Sequence, residues 1–294
     1  SAFRNVGDLE NKGVEFSLSA YPVSESNYSW MSSFNISHNQ NLVTNLAGGE
    51  EGLVGQPLLG ITGWTRVTEG TAVGTFYGYE TNGIMQQGEN PDDIPYFAGF
   101  APEPGVRKYV DQNNDGVLNE DDRIKLGNAA PDFNFGWRNR FTYQNWSLNV
   151  YLQGVYGNEI VNFNRFGLES LDGRRNNSIK ALKRWQPDDP SSKYPKADAT
   201  PHSKVLSDHQ VEDGSFVRVK DITLTYQLPD AFLQRMNLKS ASVYFSAQNV
   251  FTFTNYFGYD PEVSRFANDP LSRGADYGSY PHARQFMMGI RTQF

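Results

Sequence analysis

The stretch from Arg284 to Phe294 reads RQFMMGIRTQF and alternates apolar residues with polar or small ones. In an extended strand, one face would carry Phe286, Met288, Ile290, Thr292 and Phe294. The other face would carry Gln285, Gly289, Arg291 and Gln293, with Met287 as the exception. Because successive side chains of a strand point to opposite faces, this pattern predicts a strand with one apolar face.

The same alternation recurs in six segments upstream. They are Val14 to Pro22, Tyr28 to His38, Phe133 to Tyr143, Trp146 to Gln153, Phe216 to Leu228 and Ala241 to Phe251. A tilted strand needs about 9–11 residues to cross a bilayer, whereas a typical soluble strand has about five or six. The lengths therefore favour seven membrane-crossing strands.

The connections between the predicted strands alternate between short and long. The short or moderate ones are residues 23–27, 144–145 and 229–240, the last with a predicted helical turn at 231–236. The long ones are residues 39–132, 154–215 and 252–283. Outer-membrane barrels have short periplasmic turns and long extracellular loops, so this rhythm predicts that the long connections, above all 39–132, are extracellular.

Composition agrees with such a barrel. The chain of 294 residues has 20 Phe, 16 Tyr and 5 Trp, yet its mean hydropathy is only -0.58. Barrels combine aromatic girdles with a polar lumen and wet loops, although a Tyr-rich soluble β-sandwich would have a similar composition. The net charge of -7 argues against nucleic-acid binding, and the absence of cysteine excludes disulfides and thiolate metal sites.

Seven strands cannot complete this architecture. Bacterial single-chain barrels have an even number of strands, and an open sheet edge has no hydrogen-bond partners in hydrocarbon. We therefore expect residues 1–294 to be the C-terminal segment of a large antiparallel transmembrane barrel. The partner strands would lie on an N-terminal portion of the same protein or on another polypeptide.

Several motifs along the chain resemble the SusC/RagA family of TonB-linked outer-membrane transporters. No single motif is specific to that family, but the occurrence of all of them in the family's order along nearly the whole chain is specific. They are residues 11–15 (NKGVE), 76–79 (FYGY), 82–84 (NGI), 111–122, 126–128 (LGN), 131–133 (PDF), 184–187 (RWQP), 217–226 (VRVKDITLTY), 248–251 (QNVF), 258–262 (GYDPE) and 280–281 (YP).

The resemblance implies a 22-stranded barrel in the outer membrane, of which this chain supplies about seven strands. It also implies an N-terminal plug, energy from the TonB complex, and a SusD-like surface lipoprotein that traps glycans or peptides. The chain departs from that pattern because the plug, the TonB-contacting segment and the earlier strands are missing, so we expect no transport by this chain alone. Phe294 resembles the C-terminal signal for barrel assembly, but it would also pack at the membrane interface.

Residues 111–122, DQNNDGVLNEDD, have the spacing of a calcium-binding loop. Oxygen ligands would come from Asp111, Asn113, Asp115, the Val117 carbonyl, Asn119 and Asp122, and Gly116 would allow the sharp turn. Asp122 stands where a bidentate Glu is usual, as in dockerin-like loops. The alternative is an Asx-turn loop without an ion, because Asn, Asp and Gly favour turns in any case.

Cargo contacts are expected from aromatic rings on the extracellular loops, because sugars stack on such rings. The candidates are Trp64, Phe76, Tyr77, Tyr79, Phe163, Phe166, Tyr256 and Phe257. For each ring the alternative is packing within its own loop. We expect no enzyme, since the four histidines are scattered and form no known catalytic motif.

The sequence thus predicts an all-β, non-catalytic segment of a nutrient importer in the outer membrane, in contact with lipid and with a calcium-stiffened loop. A calcium-binding surface adhesion or structural β-protein without a transport role remains the alternative. A soluble glycan-binding module is a third possibility, and it requires the apolar strand faces to be buried in a core.

Overall fold

The computed structural model describes residues 7–46, 52–169, 171, 176–191, 193–197, 204–262, 264–266 and 268–294. Strands dominate this part of the chain. In chain order they are β1 Gly7–Ser24, β2 Tyr28–Leu46, β3 Leu53–Val54, β4 Arg66–Val67, β5 Thr75–Gly78, β6 Thr81–Ile84, β7 Tyr96–Phe97, β8 Arg107–Tyr109, β9 Val117–Leu118, β10 Ile124–Asn128, β11 Phe133–Tyr143, β12 Trp146–Tyr156, β13 Glu159–Asn162, β14 Val211–Asp213, β15 Phe216–Gln227, β16 Ser240–Thr254, β17 Ala275–Asp276 and β18 Gln285–Gln293.

Helices are short and lie in the connections. The α-helices are α1 Asn164–Leu168 and α2 Asp230–Met236, and the 3-10 helices are Pro91–Asp93, Glu120–Asp122, Ile179–Lys183, Asp208–Gln210 and Pro270–Ser272. The helical turn predicted at 231–236 corresponds to α2. Among the described residues, no helix is both long and apolar enough to cross a membrane.

The long strands form one seven-stranded sheet in the order β1-β2-β11-β12-β15-β16-β18. Every neighbouring pair is antiparallel, so the chain winds back and forth without a crossover. The seven strands predicted from alternation are confirmed. The first two are longer than predicted: β1 begins at Gly7, and β2 runs past His38 to Leu46, where it still pairs with β1.

The sheet exposes its apolar face. Val14 on β1 is 71% exposed and Ile290 on β18 is 69% exposed, and many Phe, Tyr and Trp side chains between them are also exposed. Buried polar residues such as Ser147, Ser242, Ser246 and Arg218 lie on the same sheet. A soluble sandwich would bury the apolar face instead, so this arrangement is that of a transmembrane barrel wall.

Two polar residues interrupt the apolar face, and each accepts a hydrogen bond from a tryptophan side chain. Ser32 and Asn139 lie opposite each other on β2 and β11. The Trp137 Nε1–H donates to the Ser32 Oγ at 2.9 Å, and the Trp30 Nε1–H donates to the Asn139 Oδ1 at 3.0 Å. The indoles thereby cover polar atoms that would otherwise be unpaired in hydrocarbon.

The segment from Ala241 to Phe251 alternates less regularly than the other segments, and the structure shows the cause. The register between β15 and β16 shifts between Val219 and Asp221, and Asn249 on β16 adopts a left-handed backbone with φ of 52°. A bulge of this kind adds a residue to one strand and so breaks the period of two. Beyond the bulge, Phe251 and Phe253 are again exposed.

The three long connections meet at one end of the sheet, and we call them together the loop layer. They join β2 to β11, β12 to β15 and β16 to β18. The largest cluster of buried apolar residues in the described chain lies here: Ile61, Trp64, Phe76, Val161, Phe163, Leu206 and Ala275. The apolar core thus sits in the loop layer and not behind the sheet.

One prediction concerns the exposed face. Leu224 lies on the apolar face of β15 between Leu148 and Phe245, so Leu224→Lys would place an ammonium in lipid. We expect the free energy of unfolding of the whole receptor in lipid vesicles to fall by about 2–4 kcal/mol, as for other lipid-facing barrel sites near the midplane. Denaturant titration measures the change.

The matched control is Thr225→Lys, since Thr225 is the next residue and points to the polar face. We expect the control to change the free energy of unfolding by less than about 1 kcal/mol. Equal losses for the two variants would show that the two faces have been assigned wrongly.

Candidate functional site

A single indole holds the loop layer together. Trp64 has no exposed surface, and its ring contacts Phe76, Phe163 and Phe266 with centroid distances of 6.1, 5.2 and 6.5 Å. These partners come from all three long connections. The Trp64 Nε1–H donates to the Gln56 carbonyl at 2.7 Å, so the polar end of the indole is also satisfied.

Five of the eight rings predicted as cargo contacts are buried within the loop layer. Trp64 and Phe76 belong to the buried cluster, and Tyr79 is buried against Phe97 and Tyr109. Tyr256 is buried, and its hydroxyl donates to Asp276 at 2.6 Å. The physical reason is the same throughout, because connections of this length must bury rings to hold a defined shape.

The further ring candidates also pack within the layer. Phe163 is fully buried and packs against half-buried Phe166, with ring centroids 5.8 Å apart. Tyr77 is half-buried, and its backbone N–H donates to the Trp64 carbonyl at 2.9 Å. Among the predicted rings, Phe257 is the one with a widely exposed face, at 42%.

Phe257 lies on the rim of a polar groove of about 520 Å³. The Lys180 ammonium sits 3.3 Å from the centroid of the Phe257 ring, and the Phe257 N–H donates to Glu212 at 2.8 Å. Lys193 and Asn255 also line the groove. An exposed ring beside a cation and amide groups can stack on a ligand and hydrogen-bond to it, so this groove is the candidate functional site.

A buried charge cluster forms the floor of this groove. Arg165 on α1 contacts Glu169 at 2.9 Å and Glu212 at 3.4 Å, and it donates to the His209 carbonyl. Burial lowers the pKa of His209 to about 4. Burial raises the pKa of Glu169, but hydrogen bonds from His209 and Arg165 outweigh it and hold that pKa at about 2. At neutral pH an ionised Glu169 therefore accepts from a neutral His209 at 2.7 Å.

A second charge cluster ties the last long connection to the sheet. Arg218 on β15 is 1% exposed, and it donates to Asp260 at 2.5 Å and to Glu262 at 2.7 Å. The other Asp260 oxygen accepts from the His282 backbone at 2.9 Å and lies 2.8 Å from its ring nitrogen Nδ1. Burial opposes ionisation of Asp260, but these hydrogen bonds lower its pKa to about 2.

This Arg218 cluster was missed by sequence reasoning. Arg218, Asp260 and Glu262 occur in the motifs at 217–226 and 258–262, but alternation carries no information about which charges meet. The remaining histidines do not join one site: His38 bonds to the Asp132 carbonyl on the sheet, and His202 lies outside the described residues.

The predicted calcium loop has a sharply turned backbone. Gly116 adopts φ of 84° and Asn114 adopts φ of 61°. The Asp111 carboxylate accepts from the backbone of Asn114 and Gly116, each at 2.7 Å, and the buried Asp122 carboxylate accepts from Gln112 and Asn119. Within the described chain, no three acidic or histidine side chains converge as a metal cluster. A cation here would therefore also need asparagine and backbone oxygens.

Comparison with known proteins places this architecture in a class. No family model matches the chain. All of the chain aligns with the TonB-dependent receptor P3 of Formosa agariphila at 34% identity, and with the receptor P26 of the same organism at 34% identity. The chain spans about 30% of the length of each of these relatives. Their names describe receptors and not enzymes.

The similarity extends to more distant proteins of the class. The TonB-dependent receptor SusC of Bacteroides thetaiotaomicron is 26% identical over 99% of the chain, which covers 27% of that protein. A solved structure of the RagAB peptide transporter superposes with a TM-score of 0.77 and 24% identity, over 100% of this chain and 30% of the other. The fold is therefore that of the C-terminal portion of a TonB-dependent receptor barrel. Within this class, the resemblance to the SusC/RagA family is confirmed.

The Arg218 cluster generates a prediction. Arg218→Leu would leave Asp260 buried without its cation, which typically costs about 3–5 kcal/mol. We expect the connection between β16 and β18 to detach, so trypsin would cleave the folded receptor faster at Arg265 and Arg273. Gel analysis of cleavage rates measures this.

Lys220→Leu provides the control for that experiment. Lys220 contacts Glu262 at 3.4 Å with both side chains about one-third exposed, so we expect a change below about 1 kcal/mol and little faster cleavage. Cleavage of Arg218→Leu at the rate of the unaltered receptor would contradict the anchoring role.

Proposed function

We propose that this chain is part of an outer-membrane importer that takes up glycans or peptides. The observation that carries the proposal is a barrel-wall sheet whose long connections form a folded layer with a polar groove at one end. The similarity of the whole chain to TonB-dependent receptors supports it. In this proposal the long connections face the outside, and the exposed apolar face contacts outer-membrane lipid.

The importer would act with three further parts. The earlier barrel strands and a plug would close the barrel, the TonB complex would supply energy through the plug, and a SusD-like lipoprotein would cover the loop layer. The two unpaired sides of the described sheet, on β1 and β18, are where further strands would bond. One structural neighbour, the RagAB peptide transporter, supports peptides as one cargo class.

The alternative function is a surface adhesion or structural protein without transport. It would need the same lipid-facing sheet, but it would not need TonB or an open route through the barrel. Energy-dependent uptake therefore separates the two functions.

Uptake by the whole receptor tests the proposal. We expect cells that carry the receptor and its lipoprotein to accumulate labelled oligosaccharide or peptide. This accumulation should be lost when TonB is deleted. Phe257→Ala removes the exposed ring of the groove, and loss of one stacking contact should raise the half-saturating cargo concentration about tenfold.

Phe232→Ala is the matched control, because Phe232 is 48% exposed on α2 at the opposite end of the sheet. We expect normal uptake by this variant. Uptake of neither cargo class, with the receptor present in the outer membrane, would favour the adhesion alternative.

We also propose that the loop at 111–122 binds calcium in a structural role. The ligands would be the side chains of Asp111, Asn113, Asp115, Asn119 and Asp122 and the carbonyl of Val117. The turn at Gly116 and the buried Asp122 carboxylate support this geometry. The ion would stiffen the connection between β2 and β11 and would take no part in chemistry.

Calcium dependence tests this second proposal. We expect calcium to slow tryptic cleavage at Arg123 and Lys125 in the whole receptor, with a local stabilisation of about 2–3 kcal/mol at saturating ion. Asp111→Asn with Asp115→Asn should abolish the protection. Asp92→Asn with Asp93→Asn alters two exposed acids of the same connection and should leave it intact. Equal cleavage with calcium and with chelator would show a loop without an ion.

A further inference from the structure

A second cavity of about 150 Å³ shares Arg165 and His209 with the polar groove as lining residues. We call it the recess. Apolar side chains form most of its wall: Met85, Ile94, Phe97, Phe100, Leu118 and Phe166. An engineered protein cavity of about this volume binds benzene, so the recess is large enough for one ring-sized apolar group.

The cations around the recess differ in their partners. Lys108 contacts Glu89 at 2.7 Å, Lys196 contacts Glu103 at 2.7 Å, and Arg165 contacts Glu169 at 2.9 Å. Each of these three charges is therefore neutralised by a carboxylate.

Arg107 on β8 lacks such a partner in the described part of the chain. Its guanidinium donates to the Lys193 carbonyl at 3.1 Å, and no described carboxylate oxygen lies within 4 Å of it. Burial lowers the pKa of Arg107, and the nearby Asp208 carboxylate offsets this effect only in part. A half-buried guanidinium beside apolar walls is poorly solvated, and a carboxylate is the group that it binds best, through two parallel hydrogen bonds.

We propose that the recess binds a carboxylate attached to an apolar group about the size of an aromatic ring. The carboxylate would pair with Arg107, and the apolar group would fill the space between Ile94, Phe97 and Phe166. The C-terminal apolar residue of a peptide has this chemistry, and so does a free aromatic acid. A sugar acid fits less well, because the apolar walls offer its hydroxyl groups few hydrogen-bond partners.

As a contact for cargo, the recess rests on the proposed import function and specifies the cargo as peptides with an apolar C-terminal residue. Binding in the recess does not itself require transport. The two can therefore fail separately.

Calorimetric titration of the whole receptor in detergent tests the proposal. The probes are N-acetyl-phenylalanine, its C-terminal amide, an alanyl-phenylalanine dipeptide and glucuronate. We expect the two phenylalanine carboxylates to bind about tenfold or more tightly than the amide and than glucuronate, since a hydrogen bond to a charged group is lost in the amide. Dipeptide binding that is tighter than that of the blocked amino acid would assign the recess to peptide ends, and the reverse would assign it to free acids.

Two variants locate the site. Arg107→Leu should remove the preference for carboxylate over amide, and Ile94→Trp should fill the recess and abolish binding of every probe. Lys125→Leu, an exposed cation of the loop layer outside the recess, should bind as the unaltered receptor does. Heat-modifiable migration on gels checks that the barrel of each variant is folded. Arg107→Lys keeps the positive charge but lacks the two parallel N–H donors of a guanidinium. It should therefore show an intermediate preference for carboxylate over amide.

The proposal is overturned if the amide or glucuronate binds as tightly as N-acetyl-phenylalanine. It is also overturned if the carboxylate preference survives in Arg107→Leu or if binding survives in Ile94→Trp. Probe binding without any energy-dependent uptake would leave the recess in place and contradict the import function instead.

Discussion

The rest of the structure depends on the requirement that backbone groups in hydrocarbon find their hydrogen-bond partners within the protein. The antiparallel sheet meets it through strand-to-strand pairing from β1 to β18. Each long strand can then expose its apolar face to lipid, and even Ser32 and Asn139 on that face are covered by indole donors. The sheet needs no apolar layer behind it, so its inner face is free to be polar.

The loop layer is stabilised differently, because it is surrounded by water and must fold by burying apolar surface. Its rings pack around Trp64, while buried ion pairs hold its outer connections. The Arg218 cluster connects the sheet to the loop layer, since Arg218 belongs to the sheet and Asp260 to the layer. The polar groove and the recess both border Arg165, so one charged residue shapes the two places where a ligand would bind.

The sheet could be predicted from the sequence because each strand carries its own signal within about ten residues. Its limits were less predictable, since the extension of β2 to Leu46 depends on pairing with β1 and not on alternation. The candidate site was predicted less well. Exposed and packing rings look alike in sequence, and whether Trp64 is buried depends on Phe163, which lies far along the chain in another connection. Arg218 lies in the motif at 217–226, but neither that motif nor the sequence around Arg107 indicates which charges meet, because charge pairing is decided by the assembled fold.

The contacts of Trp64 also bear on how such receptors diversify. A graft of one connection into a related receptor would separate the indole from one or two of its partner rings and leave a void that costs several kcal/mol. The transferable unit is therefore the set of three connections together. Under the proposed function, new cargo preferences should arise by substitutions at the rims of the groove and the recess, while the interior of the layer changes slowly.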